Sequence, residues 1–159
     1  MSLTRDLLAS YTRPRQVIRR LLDRGENDAF AFGILMIACF VLFVSRWPSL
    51  AREAHLDPEI PLQALLGGAL MGLVLIAPLM FYVIAGFSHL VAKIFHGKGN
   101  FYGARLSLFW SLLVVSPMVL LRGLVDGFIG AGPQATLMAG VLSLAFIYIW
   151  LACLIEAES

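Results

Sequence analysis

Four long apolar blocks, Ala29–Trp47, Pro61–Phe95, Leu106–Val125 and Gln134–Ile155, take up most of this 159-residue chain. An α-helix needs about 20 mostly apolar residues to cross ~30 Å of hydrocarbon, and each block meets or nearly meets that length. The expected fold is all-α: a polytopic transmembrane bundle of four spans within residues 29–159, preceded by a basic segment over residues 1–28. With 60% hydrophobic and 14% charged residues, the chain lies far from the balance of water-soluble domains, where about a quarter of residues are charged.

The placement of charge orients the spans. Arg5, Arg13, Arg15, Arg19, Arg20 and Arg24 precede the first block, and Lys93, Lys98 and Arg105 surround the second gap. The other two gaps hold Arg46, Arg52 and Arg122, so the basic residues divide nine against three. Positive charge near span ends stays in the cytoplasm, which places both the N-terminus and the C-terminus there. Cys39 and Cys153 fall within spans and read as small apolar-like residues rather than disulfide partners. The 28 residues ahead of the first block, six of them arginine, argue against a cleavable signal peptide.

Within the N-terminal segment, Arg13–Arg24 reads as a helix with Thr12 as cap and Pro14 at the first helical position. Val17, Ile18, Leu21 and Leu22 share one face, opposite a basic side. That pattern suits a helix lying in the headgroup layer, with Arg13, Arg15, Arg19, Arg20 and Arg24 meeting anionic lipid. The alternative is a solvated helix docked on the protein's own spans. A turn around Ser10–Pro14 separates it from Leu7 and Leu8.

Asn27 and Asp28 suit a helix N-cap, while Arg46, Trp47 and Pro48 are expected to close the first span. The second block runs 35 residues, ~52 Å as a straight helix, and is expected to kink at Pro78 or to project beyond the bilayer. Along it Ala64, Gly68 and Gly72 recur every four residues, a spacing that lets helix backbones approach closely, within the bundle or across an oligomer seam. Gly123, Gly127, Gly130, Gly132 and Pro133 read as the turn between the third and fourth spans.

Ionisable residues inside a membrane are the first place to look for function, because hydrocarbon makes an idle charge costly. Arg122 and Asp126, four apart on one helix face, form a candidate polar pair, either a salt bridge at a helix end or a solute site. His89 and His96 could approach Glu156 or Glu158, yet no metal-ligand spacing appears, so no metal and no cofactor is expected. Pro78 and Pro117 read as kinks in consecutive spans. Gly97–Asn100 lacks the spacing of a phosphate loop, and nothing resembles a catalytic triad or a nucleic-acid module.

The stretch Leu90–Leu121 carries a family resemblance. A long second span, a Gly97-x-Gly99-Asn100-Phe101 turn and a third span with an internal Pro117 resemble the Yip family, the Ypt-interacting membrane proteins, in its bacterial branch. The basic lead-in with Pro14 and the aromatic Phe146–Trp150 segment running to Glu156 add to the likeness. The resemblance implies a helical bundle with a cytoplasmic N-terminus. Eukaryotic relatives bind Rab-type GTPases, but their Asp-Leu-x-Gly-Pro motif is not present here, so GTPase binding is not carried over. Family members usually have five spans, and the expectation is that the fifth is missing, supplied elsewhere, or outside this sequence.

The expected role is that of a non-catalytic scaffold, accessory subunit or membrane-organising factor in a bacterial inner membrane. Its partners would be the lipid bilayer and other membrane proteins or further copies of itself, not nucleic acid. The alternative is a small transporter or permeation pathway built around Pro78, Pro117, Arg122 and Asp126.

Overall fold

A computed structural model describes residues 3–129 and 132–158 and forms them into helices, with no strand among the described residues. The helices are α1 (Leu3–Ser10), α2 (Pro14–Asp23), α3 (Asp28–Leu56), α4 (Leu62–Ile94), α5 (Phe101–Phe128) and α6 (Pro133–Glu158). The last four are long and apolar enough to cross a membrane.

Helix α5 is the axis of the bundle. Every residue from Leu106 to Ser116 is buried, which a helix achieves only when neighbours surround it. Those neighbours are α3, α4, α6 and the α1–α2 hairpin. Its buried serines are satisfied within the helix: Ser107 donates to the Gly103 carbonyl, Ser111 to Ser107 and Ser116 to Leu113, each at 2.7 Å. Across to α4, the Tyr82 and Phe109 rings meet edge to face at 5.0 Å.

The α3–α5 contact is the largest between helices, and it depends on two glycines. A Cβ on Gly123 would collide with the Ser45 backbone, and one on Gly127 with Pro48. Both glycines lie inside α5, not in the turn to which the sequence pattern assigned them. Spaced four apart, they let two backbones touch where lipid supplies no hydrophobic drive between helices. Pro48 likewise does not close the first helix, for α3 runs on to Leu56. Proline removes one backbone donor, a loss a packed membrane helix tolerates.

Helix α4 contains a π turn at Met71–Ile76, immediately ahead of Pro78, with the Ala77 N–H reaching back to the Gly72 carbonyl. The widened turn is how this helix accommodates a proline that cannot bond to the preceding turn. At its C-terminal end His96 takes the left-handed conformation, φ 64°, and the Gly97 N–H bonds to the Ala92 carbonyl at 2.8 Å, closing the helix. Asn27 caps α3 as expected, accepting from the Phe30 N–H at 3.1 Å. Thr12 caps nothing: Arg13 occupies the N-cap of α2 and makes no side-chain cap bond, with Pro14 in the first turn.

Candidate functional site: a clasp joining the two ends of the chain

The hairpin of α1 and α2 lies along the first half of α5. Arg24 and Gly25 share a small cleft with Tyr102, near the start of α5, while Tyr11 at the hairpin corner bonds through its hydroxyl to the Val114 carbonyl. The corner thus sits 12 residues, or ~18 Å, farther along α5. Beside it, Trp110 Nε1 donates to Ser10 Oγ at 2.8 Å, and Ser10 Oγ donates to the Asp6 carbonyl at 2.8 Å.

This placement corrects the expectation of a helix lying flat among headgroups. Val17, Ile18 and Leu21 are 1%, 0% and 2% exposed, packed into the protein core. An apolar face committed to the chain's own helices is not free to enter lipid. Docking on the spans, the alternative, is what the structure adopts.

Charge holds the hairpin in place. The buried Glu156 carboxylate, near the end of α6, receives Arg15 Nε at 3.0 Å and pairs with Arg19. The buried Asp6 carboxylate faces Arg20 and Arg24 at 3.7 and 3.9 Å. Hence four of the five arginines expected to meet lipid engage carboxylates of this chain. Their side chains remain 43–69% exposed, so each charge also faces outward. Arg13, at the hairpin corner, is exposed.

Glu158, two residues beyond Glu156, fastens the other side. One carboxylate oxygen meets His89 Nδ1 at 2.8 Å, the other accepts from the Gly99 N–H at 3.1 Å, and its backbone carbonyl accepts from the Lys98 N–H at 2.7 Å. The fit allows no side chain at Gly99, where a Cβ would strike the Ala157 carbonyl. Thus the Gly-x-Gly-Asn turn is a seat for the end of α6. Asn100 caps α5 by accepting from the Gly103 N–H at 2.8 Å and also donates to Glu26. Of the two histidines, His89 reaches Glu158, while His96 is exposed. No group of three His, Cys, Asp or Glu among the described residues is placed to hold a metal ion.

Arg105, at the start of α5, is 16% exposed at its side chain, pairs with Asp28 at 2.8 Å and lies 4.7 Å over the Phe101 ring. Sequence spacing gave no hint of this tie between the first residues of α3 and α5.

The small-residue row on α4 has a different outcome. Ala64 and Gly68 are exposed, Gly72 is partly exposed, and a Cβ built on Gly68 or Gly72 meets nothing within 4 Å. Packing within the bundle, one of the two readings of this row, is therefore not what these residues do. Arg122 and Asp126 do pair as spaced, Nε to Oδ2 at 3.7 Å, at the end of the bundle remote from the clasp. Cys39 and Cys153 are free thiols, both buried.

Comparison with known proteins gives one family: the Yip1 domain matches over residues 8–157. Neither the curated proteins nor the solved structures include a match. The matched stretch begins within α1 and ends between Glu156 and Glu158, so it takes in α2, α3, α4, α5 and nearly all of α6, with Arg15, Arg19 and Glu156 of the clasp, while Asp6 and Glu158 lie just outside it. This chain is a multi-pass membrane protein belonging to the Yip1 domain family.

Proposed function

We propose that the protein acts without catalysis, as a scaffold, accessory subunit or membrane-organising factor of a bacterial inner membrane, and that α4 is the helix it offers to a partner. The observation that carries this reading is the contrast in burial between helices. In the most apolar stretch of α4 only 11% of residues are buried, against 56% in α5. Along that open helix Ala64, Gly68 and Gly72 present a row with no bulky side chain. Lipid gains little from such a row, whereas a second helix gains close backbone contact. The partner is another membrane protein or a further copy of this chain.

Native mass spectrometry in a gentle detergent tests this directly. Stoichiometric association, lost in Gly68→Leu, supports the reading. A monomer, with Gly68→Leu behaving like the parent protein, removes it.

In this reading the clasp and both chain ends face the cytoplasm, which the positive charge around the clasp supports. There Arg13, Arg15, Arg19, Arg20 and Arg24 engage anionic lipid through charge alone, because the apolar face of α2 is committed elsewhere. Vesicle binding should then weaken as salt screens the surface. A permeation pathway through Pro78, Pro117, Arg122 and Asp126 draws less support, since the polar pair lies in the last two turns of α5 rather than midway. Liposome flux abolished by Asp126→Asn would favour that pathway over the scaffold.

A further inference from the structure

At the end remote from the clasp, α3 and α6 stand on either side of α5 and leave a cleft of about 590 Å³ between them. Its polar lining comes from three elements: Arg52, Glu53 and Asp57 at the end of α3, Arg122 and Asp126 from α5, and Thr136 from α6. Arg52 directs Nη1 toward the Gly127 and Phe128 carbonyls at 3.5 and 3.4 Å. Arg122 Nε, out of contact with solvent, has no hydrogen-bond partner among the described residues, for Asp126 at 3.7 Å is too distant to accept from it. The Arg122 side chain as a whole is nonetheless 39% exposed and lines the cleft, so its guanidinium charge can meet a ligand there.

The mixture of signs narrows what fits. Inorganic cations are disfavoured because the carboxylates are not grouped to hold a metal among the described residues. A simple anion would face three carboxylates, and a simple organic cation two guanidinium groups. A ligand carrying both charges a short distance apart satisfies both sets. Guanidinium groups match phosphate with paired N–H donors, and a primary ammonium offers three donors to carboxylates. A volume of this size lies within the roughly 300–1,000 Å³ of ordinary ligand sites. Leu56, 69% exposed, adds apolar surface to the lining.

We propose that this cleft binds a phosphoethanolamine group, with the phosphate on Arg122 and Arg52 and the ammonium among Asp126, Glu53 and Asp57. The group is that of a phosphatidylethanolamine headgroup or of a soluble glycerophosphoethanolamine. Its binding does not depend on the α4 face or on any partner protein.

The full-length protein in mild detergent, presented in native mass spectrometry with phosphatidylethanolamine, phosphatidylcholine and phosphatidylglycerol, provides the test. Phosphatidylethanolamine should stay bound at collision energies that strip the other two, since choline has no N–H donors and glycerol no charge for the carboxylates. Arg122→Gln and Asp126→Asn should each reduce its retention about tenfold, the effect of losing one charge-assisted hydrogen bond. Glu53 and Asp57 are exposed, so the double variant Glu53→Gln/Asp57→Asn decides the matter if either of the others fails to fold. A second arm titrates soluble glycerophosphoethanolamine and follows thermal stability. Stabilisation assigns recognition to the headgroup chemistry alone; retention of the lipid without it assigns the site to membrane lipid. Equal retention of all three lipids, or preference for phosphatidylethanolamine undiminished in every folded variant, overturns the proposal.

Discussion

Two glycines that look alike in the sequence should respond oppositely to the same substitution. Gly68 belongs to the Ala64/Gly68/Gly72 row of α4, and Gly123 pairs with Gly127 in α5. Alanine is favoured over glycine inside a helix by about 1 kcal/mol. At Gly68, where an added methyl meets nothing within 4 Å, Gly68→Ala should keep most of that gain. At Gly123 the same methyl runs into the Ser45 carbonyl group and Cα, backbone atoms that cannot swing aside. Helices α3 and α5 must then part along their largest interface, and overpacking of this kind costs about 1–3 kcal/mol before lost dispersion is counted. Helix propensity is common to both variants, so their stabilities should differ by the overpacking cost alone, about 1–3 kcal/mol with Gly68→Ala the more stable. Reversible unfolding of the monomeric protein by SDS titration in mixed micelles, followed by circular dichroism, measures that difference. Equal stabilities for Gly68→Ala and Gly123→Ala would refute the close α3–α5 approach.

The clasp supplies further expectations. Glu156→Gln removes the carboxylate that holds Arg15 and Arg19, and because both arginines are more than half exposed the cost should be modest, ~1–2 kcal/mol. It should appear as faster tryptic cleavage after Arg15 and Arg19, and unchanged cleavage would show that the apolar face alone holds α2. Trp110→Phe leaves Ser10 without its donor deep at the hairpin corner and should lower stability by roughly 1 kcal/mol in the same SDS titration. Gly99→Ala should disturb the seat of Ala157 and Glu158 and expose the end of α6 to carboxypeptidase, whereas protection equal to the parent protein would mean that the turn yields readily. Cys39 and Cys153, both 0% exposed, should resist maleimide in the folded protein and react once it is unfolded in SDS.

The apolar blocks and their lengths determine by themselves that this chain lies in a membrane, because the cost of leaving backbone polar groups unpaired in hydrocarbon makes long apolar helices the outcome for such a sequence. Asn27 as a cap, Pro14 in a first turn and Arg122 beside Asp126 were legible for the same local reason: each interaction spans four residues or fewer. Helix packing is not local. Nothing in the spacing of Gly68 and Gly123 tells which of them meets another backbone, since the answer depends on which helices stand side by side. The amphipathic pattern of α2 fits a lipid surface and a protein surface equally well, and only the exposed flank of α5 decides between them. Glu156 and Arg15 are separated by 141 residues, His89 and Glu158 by 69, and Gly99 and Glu158 by 59. Such pairs arise when tertiary structure folds the two ends of the chain against one helix, whose buried first half needs a cover on every side.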